Sequence, residues 1–234
     1  MGKEYEAKFL DIDVSEKREL LKKLNGKLIH EKKKYVRAIF NLCNSDKKGF
    51  VRVRDEAGNV TITAKIFNNP DYPDEYEIST TNSFKEAKEL LEAMNLKLNC
   101  FQESYREKWL LPNKCVHEIT FDTVPGLPTY MEVDCTSEKV LKETIELLKL
   151  DKNKMRTGSF DKTYNEYYGI EVDVINKHTP CITFKNSINE LKVKKNKNLL
   201  VKIHAEQNKD LTGGYKNKYL RYKQKYIALK KSFK

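Results

Sequence analysis

Charged residues recur in this chain as i, i+2 pairs of a single sign within strand-like segments: Glu4/Glu6, Arg52/Arg54, Glu75/Glu77, Arg106/Lys108 and Glu132/Asp134. Side chains two apart on a strand share one sheet face. The residues between and beside them are apolar: Tyr5, Ala7 and Phe9; Val51 and Val53; Met131 and Val133. One such pair alone reads as the wet face of a half-exposed sheet. The set reads differently, because a solvated face mixes signs and because the apolar face also needs cover. If helices cover the outside of a barrel, the charged face lines its inside. Charges confined there are costly unless they pair or a ligand neutralises them. Carboxylates hold a hard divalent cation through oxygen, and Arg and Lys grip phosphate oxygens. The ligand class that suits both is a polyphosphate carrying a divalent metal.

The rest of the pattern supplies the elements. Strands are expected at Glu4–Leu10, His30–Leu42, Gly49–Arg54, Val60–Phe67, Glu75–Ile78, Gln102–Leu111, His117–Val124 and Tyr130–Cys135. Ala57-Gly58-Asn59 turns the third strand into the fourth. Helices are expected over Ser15–Asn25, with Leu20, Leu21 and Leu24 as its stripe and a stop at Gly26. A second follows Ser83, where Glu86 completes a capping box, and a third runs from about Ser137 to Leu150. The fold class is α+β: an antiparallel eight-stranded β-barrel, or tunnel, with helices packed outside and a basic C-terminal helical extension.

The net charge is +11, and its distribution matters more than its size. Residues 1–170 hold 29 basic and 29 acidic side chains, whereas residues 171–234 hold 16 and 5. An argument for nucleic-acid binding from basicity therefore applies to the tail alone. Cys43, Cys100, Cys115, Cys135 and Cys181 are odd in number and show no CxxC spacing. That argues against a zinc site or a disulfide framework and for a reducing, cytoplasmic setting. The scattered His30, His117, His178 and His204 read as surface or packing residues. No apolar run reaches membrane-spanning length, and the opening MGKEYEAKF has neither a signal-peptide core nor the hydroxyl of a myristoylation signal.

With these residues in view, the chain resembles the CYTH family, the triphosphate tunnel metalloenzymes. Glu4-Tyr5-Glu6-Ala7-Lys8 matches the ExExK hallmark. Arg37, GFVRVRD with Arg52 and Arg54, TITAK ending at Lys65, EYE with Glu75 and Glu77, YREKW with Arg106 and Lys108, and FDTVPGLPTYMEVD with Asp122, Glu132 and Asp134 follow in order. KTYNEYYG, with Tyr164 and Tyr167, ends the match near residue 170. Asp134 stands where the family usually has Glu, and Pro128 where a small residue is common.

The resemblance implies a divalent-metal-dependent triphosphatase that hydrolyses the terminal phosphoanhydride of inorganic, thiamine or nucleoside triphosphate. It implies Mg²⁺ or Mn²⁺ on Glu4, Glu6, Glu132 and Asp134, with Asp122 assisting. Lys8, Arg37, Arg52, Arg54, Lys65, Arg106 and Lys108 would hold the triphosphate. The catalytic set would be Glu4, Glu6, Lys8, Arg52, Arg54, Lys65, Arg106 and Asp122. Glu75 and Glu77 either reach metal or water or pair with tunnel arginines. Phe50 either stacks on an organic group at the mouth or packs. Tyr164 and Tyr167 close one end of the barrel, or Tyr164 donates a hydrogen bond to a phosphate. An RNA 5′-triphosphatase of a capping pathway and a class IV-like adenylyl cyclase are the alternatives.

The chain divides into the tunnel domain (1–170), a basic extension packed on the barrel (171–210) and a Lys/Tyr-rich helical tail (211–234). Within the extension, Cys181–Phe184 and Leu199–Ile203 read as short strands and KVKKNKN between them as a solvated loop. In the tail, Tyr215, Tyr219, Tyr222, Tyr226, Leu229 and Phe233 form a heptad-like stripe. The tail resembles those of giant-DNA-virus proteins, which would place the chain in a host cytoplasm. Its partners stay open: the barrel or a second copy in a homodimer, RNA or DNA through phosphate contacts, or an anionic membrane surface.

Overall fold

The computed structural model describes residues 5–42, 48–66, 74–157 and 160–209. Glu4, the Lys/Tyr-rich tail and the end of the expected fourth strand at Phe67 lie outside them, as does Cys43. Eight long strands carry the fold: β1 (Tyr5–Phe9), β2 (Lys27–Asn41), β3 (Gly49–Glu56), β4 (Asn59–Ile66), β5 (Asp74–Thr80), β6 (Leu98–Leu110), β7 (Val116–Thr123) and β8 (Tyr130–Cys135). They pair antiparallel in the order β5-β4-β3-β2-β6-β7-β8-β1. Ala57 (φ 59°) and Gly58 (φ 109°) turn β3 into β4. Two consecutive positive φ values give the type I′ twist that matches a hairpin.

Among the described residues the sheet does not close into the expected barrel. A two-residue strand, β9 (Met155–Arg156), pairs with the free edge of β1 at Lys8 and Phe9. β9 thus takes part of the edge with which a closing β5 would pair, and among the described residues the hydrogen-bonded path ends at β5 and β9. A tenth strand, β10 (Cys181–Ile182), pairs parallel with the start of β6, at Phe101 and Gln102. It can do so because β7 pairs with β6 only from Tyr105 onward.

Three helices cover the apolar face. α1 (Val14–Lys23) is capped by Asp13, whose side chain accepts from the Glu16 N–H at 3.0 Å. Asn25, at φ 57°, takes the left-handed position just before Gly26. α2 (Phe84–Ala93) has the expected capping box: Ser83 N donates to Glu86 Oε2 at 2.8 Å and Glu86 N to Ser83 Oγ at 3.3 Å. α3 (Glu138–Leu147) starts at Ser137. Leu21 of α1 and Leu141 and Ile145 of α3 pack on Ala7, Phe9, Met131 and Val133. Ala87 and Leu91 of α2 pack on Ala38, Phe40, Val53 and Val60. The apolar sides of β1, β2, β3, β4, β7 and β8 thus face helices, whereas Tyr76 and Ile78 of β5 stay exposed.

Beyond β9 lie α4 (Phe160–Tyr168), α5 (Val172–Lys177), β10, α6 (Ser187–Glu190) and a last helix, α7, over residues 197–209. Leu199–Ile203 is therefore helical rather than a strand. A short apolar run does not separate the two states by itself. Leu200 and Ile203, three apart, are both buried, and helical spacing puts them on one face. Leu191 and Leu200 join Leu127, Tyr164, Tyr168 and Ile182 in one apolar cluster. Among the described residues, no helix is long and apolar enough to cross a membrane.

Candidate active site

The charged face of β1–β8 surrounds a cavity of about 360 Å³. Seven cationic side chains line it: Lys8, Arg37, Arg52, Arg54, Lys65, Arg106 and Lys108. All seven are ones the sequence pattern singled out. Glu6, Asp122, Glu132 and Asp134 line it too, with Glu56, Glu75, Glu103 and Glu118. Among the described residues, seven cations against eight carboxylates leave the wall close to neutral.

Strand register sets the pairs. Lys8 lies opposite Glu132, and Glu6 opposite Asp134, across β1 and β8. Buried Lys8 donates to Glu6 Oε1 at 2.7 Å and stands 3.0 Å from Glu132 Oε2. Arg106 faces Asp122 across β6 and β7. Its Nε and Nη2 each donate to an Asp122 oxygen at 2.7 Å, its Nη1 to Glu118 at 3.0 Å and its Nη2 to Glu132 at 3.3 Å. Thr120 Oγ1 adds a bond to Asp122 at 2.9 Å, and Lys108 pairs with Glu118.

On the other wall, Lys65 stands 2.8 Å from Glu75, and Arg52 3.6 Å from Glu75 and 3.5 Å from Glu77. Thr63 Oγ1 donates to Glu77 at 2.6 Å. Arg54 pairs with Glu56 at 2.5 Å. Of the two readings left open for Glu75 and Glu77, pairing with tunnel cations is the arrangement observed. Phe50 is half-buried and is not among the cavity-lining residues.

Confinement tunes these groups. Desolvation pulls Arg52 down to about 10, with Arg54 beside it, against the pull of Glu75 and Glu77. Desolvation, and then Arg52, likewise lower Arg37 to about 10. For Lys8 the balance is reversed: burial lowers its pKa, but Glu132 and Glu6 outweigh it and the group is raised. Glu132 is held below the ordinary range because Lys8 and Arg106 outweigh its burial. Burial drives the Asp122 carboxyl up, against Arg106 and Thr120.

Glu6, Glu132, Asp134 and Asp122 are an all-oxygen donor set of the kind a hard divalent cation takes. Among the described residues, no three carboxylate, His or Cys groups converge on one point as they now stand. Lys8 bridges Glu6 and Glu132, and Arg106 holds Asp122. The donor chemistry fits a divalent ion, which would have to displace at least one of these cations.

Several cavity residues escaped the sequence reading. Glu118 belongs with Thr120 and Asp122 on one face of β7, and that alternation was a usable signal. Tyr35, Gln102 and Tyr130 give no charge signal. Phe160 and Ile182 come from segments without strand alternation. Tyr164 also lines the cavity, but its hydroxyl donates to Pro125 O at 2.6 Å, and that of Tyr167 to Asp11 at 2.8 Å.

No family profile and no curated protein matches the sequence. Solved structures do match the fold. A protein from Vibrio parahaemolyticus named a "putative adenylate cyclase" superposes with TM-score 0.55 at 15% identity, covering 69% of this chain and 98% of that one. The PH1012 protein from Pyrococcus horikoshii OT3 superposes with TM-score 0.53 at 16% identity, covering 68% and 97%. The inorganic triphosphatase NE1496 aligns over 77% of this chain and 98% of its own, with TM-score 0.38 and 17% identity. The chain has the CYTH fold. This is the fold that the ExExK-led resemblance implied, here with an open rather than a hydrogen-bond-closed sheet. The CYTH-fold neighbours of TM-score above 0.5 are matched almost end to end, while about a third of this chain has no counterpart in them.

Proposed function

We propose that this chain is a divalent-metal-dependent triphosphatase that cleaves the terminal phosphoanhydride of a small-molecule triphosphate inside the charged cavity. The carrying observation is the near-neutral wall of alternating cations and carboxylates. A polyanion entering alone would leave the cavity strongly negative. Entering with divalent cations, it can exchange partners: phosphate oxygens take Arg52, Arg54, Lys65 and Arg106, and the freed carboxylates take metal. Glu6, Glu132 and Asp134, with Glu4 and Asp122, are the residues that would hold Mg²⁺ or Mn²⁺. When held there, such an ion would supply positive charge against the phosphates and would make water more acidic.

The chain's own residues do the rest. Lys8, Arg37 and Lys108 orient the triphosphate together with the four cations above. Water attacks the terminal phosphorus, and the bond from that phosphorus to the bridging oxygen breaks. The oxygen leaves with the diphosphate, where arginine and lysine stabilise its growing charge. A carboxylate released from Arg106 or Lys8 takes the proton from water.

The test is product analysis after incubation with inorganic triphosphate, thiamine triphosphate, ATP and 5′-triphosphate RNA, with Mg²⁺ or Mn²⁺. Metal-dependent orthophosphate release that falls at least ~100-fold in Glu132→Gln supports the reading. Pyrophosphate with cyclic nucleotide from ATP would replace it with the cyclase, a reading favoured by the name of the Vibrio neighbour. Release from RNA alone would move it to the RNA 5′-triphosphatase.

A further inference from the structure

The apolar outer face of the sheet runs further than the helix that covers it. Ala38, Val53, Ile62 and Ile78 stand in register across β2 to β5, and Phe40, Val51, Ala64 and Tyr76 form a second row beside them. α2 covers the β2 to β4 part of these rows through Ala87 and Leu91. At β5 the rows come out into solvent: Tyr76 is 56% and Ile78 64% exposed. β5 is also the last strand of the sheet on that side among the described residues. Native proteins cover an apolar edge of this kind.

α2 supplies a facing wall. Its Phe84 meets Phe101 of β6, with ring centres 6.2 Å apart, so that flank looks toward β6. Counted round the helix from Phe84, Leu90 lies about 120° on, past the sheet-facing Ala87 and Leu91. It is therefore on the other flank, toward β5, and Met94, one turn later, shares that flank. Both are exposed. α2 lies on β3, and β5 is two strand spacings away, about 10 Å. That is the distance between packed helices, so the face has the width for one more helix beside α2. Its rim is acidic: Glu86, Glu89 and Glu92 stand exposed on α2. Residues 74–96 carry six acidic and two basic side chains, Glu75 and Glu77 among the six facing the cavity.

The chain itself holds a segment of the complementary chemistry. Residues 210–234 carry eight basic side chains and one acidic, and Tyr215, Tyr219, Tyr222, Tyr226, Leu229 and Phe233 recur at steps of four and three. The described residues end at Lys209. Next to it, Asn208 donates to Phe184 O at 3.1 Å. Phe184 follows β10, β10 pairs with Phe101, and Phe101 meets Phe84 at the start of α2. A further 25 residues can extend up to ~80 Å, which brings the β5 side of α2 within reach.

We infer that residues 210–234 dock in cis on this face. Their aromatic and apolar stripe lies against Tyr76, Ile78, Leu90 and Met94, and their lysines lie toward the α2 carboxylates. Docking of this kind does not depend on what the cavity hydrolyses.

The test is amine cross-linking of the full chain, with unlabelled and isotope-labelled protein mixed in equal amounts and read by peptide mass spectrometry. Cross-links from Lys216, Lys218, Lys223 or Lys225 to Lys85, Lys88 or Lys97 are expected, each within one isotopic form. Mixed-isotope cross-links as common as single-isotope ones would place the tail on a second copy and overturn docking in cis. Tail cross-links that miss α2 altogether would overturn the site. Tyr76→Asp combined with Ile78→Asp changes two exposed side chains, and its fold is checked by circular dichroism. It should lower the tail-to-α2 cross-links at least ~5-fold, the loss of about 1 kcal/mol of apolar burial. Unchanged yields would contradict the part given to β5.

Discussion

Arg106 and Asp122 face each other across β6 and β7 and share two parallel hydrogen bonds of 2.7 Å. Asp122 is 3% exposed, so its charge depends on this fork. Arg106→Met leaves a buried carboxylate with Thr120 alone. It should destabilise the fold by about 3–5 kcal/mol, read as a lower urea midpoint with an unchanged slope. A change below ~1 kcal/mol would mean that Asp122 is not ionised in the folded protein.

The Lys8–Glu132 pair carries a pH signature. Lys8 is raised in the fold, so its contribution is complete below its ordinary value of 10.5 and is lost as pH climbs through the folded value. Glu132 is lowered, so its contribution is complete above 4.5 and is lost as pH falls through the folded value. A double-mutant cycle of Lys8→Met and Glu132→Gln should show constant coupling between those limits and decay outside them. Asp122, raised in the fold, titrates the opposite way and softens acid unfolding.

Gly126 cannot accept a side chain. It sits at φ +78° with Leu200 and Leu191 over it. Gly126→Ala should cost about 1–3 kcal/mol, measured as a drop in melting temperature. Gly58 has open space at its Cβ position, so Gly58→Asn, which tolerates positive φ, should cost less.

The thiols should react unequally. Cys115 is exposed. Cys100 is pushed up to about 11 by burial, against Arg37, and Cys135 to about 11 by burial, against Thr144. At pH 8 their thiolate fraction is roughly 100-fold below that of a thiol at 9, before access is counted. Iodoacetamide labelling read by peptide mass spectrometry should mark Cys115 ahead of Cys100 and Cys135.

Much of this arrangement was legible in the sequence because alternation leaves little choice. Once Ala7, Val53 and Val133 must be covered, Lys8, Arg52, Arg54, Glu132 and Asp134 must share the other face. The Ser83–Glu86 capping box was legible for the same reason, as a local rule with a local cause. Closure was not. Whether β5 reaches β1 depends on who takes the β1 edge, and the two residues of β9 carry no strand pattern. The Lys-rich start of β2 lacks alternation because Lys27–Lys34 pairs only with β6 and is largely exposed. The apolar part of the cavity lining was hidden as well. Phe160 and Ile182 belong to it through contacts with Arg37 and with β6, far away in sequence.

A crystal structure with inorganic triphosphate and Mn²⁺, using the anomalous signal of manganese, tests the central claim most directly. The account predicts phosphate oxygens at ~3 Å from Arg52, Arg54 and Lys65 and manganese on Glu132 and Asp134. Triphosphate bound outside the cavity, with Arg52 still on Glu75 and Glu77 and Lys8 still bridging Glu6 and Glu132, would contradict it.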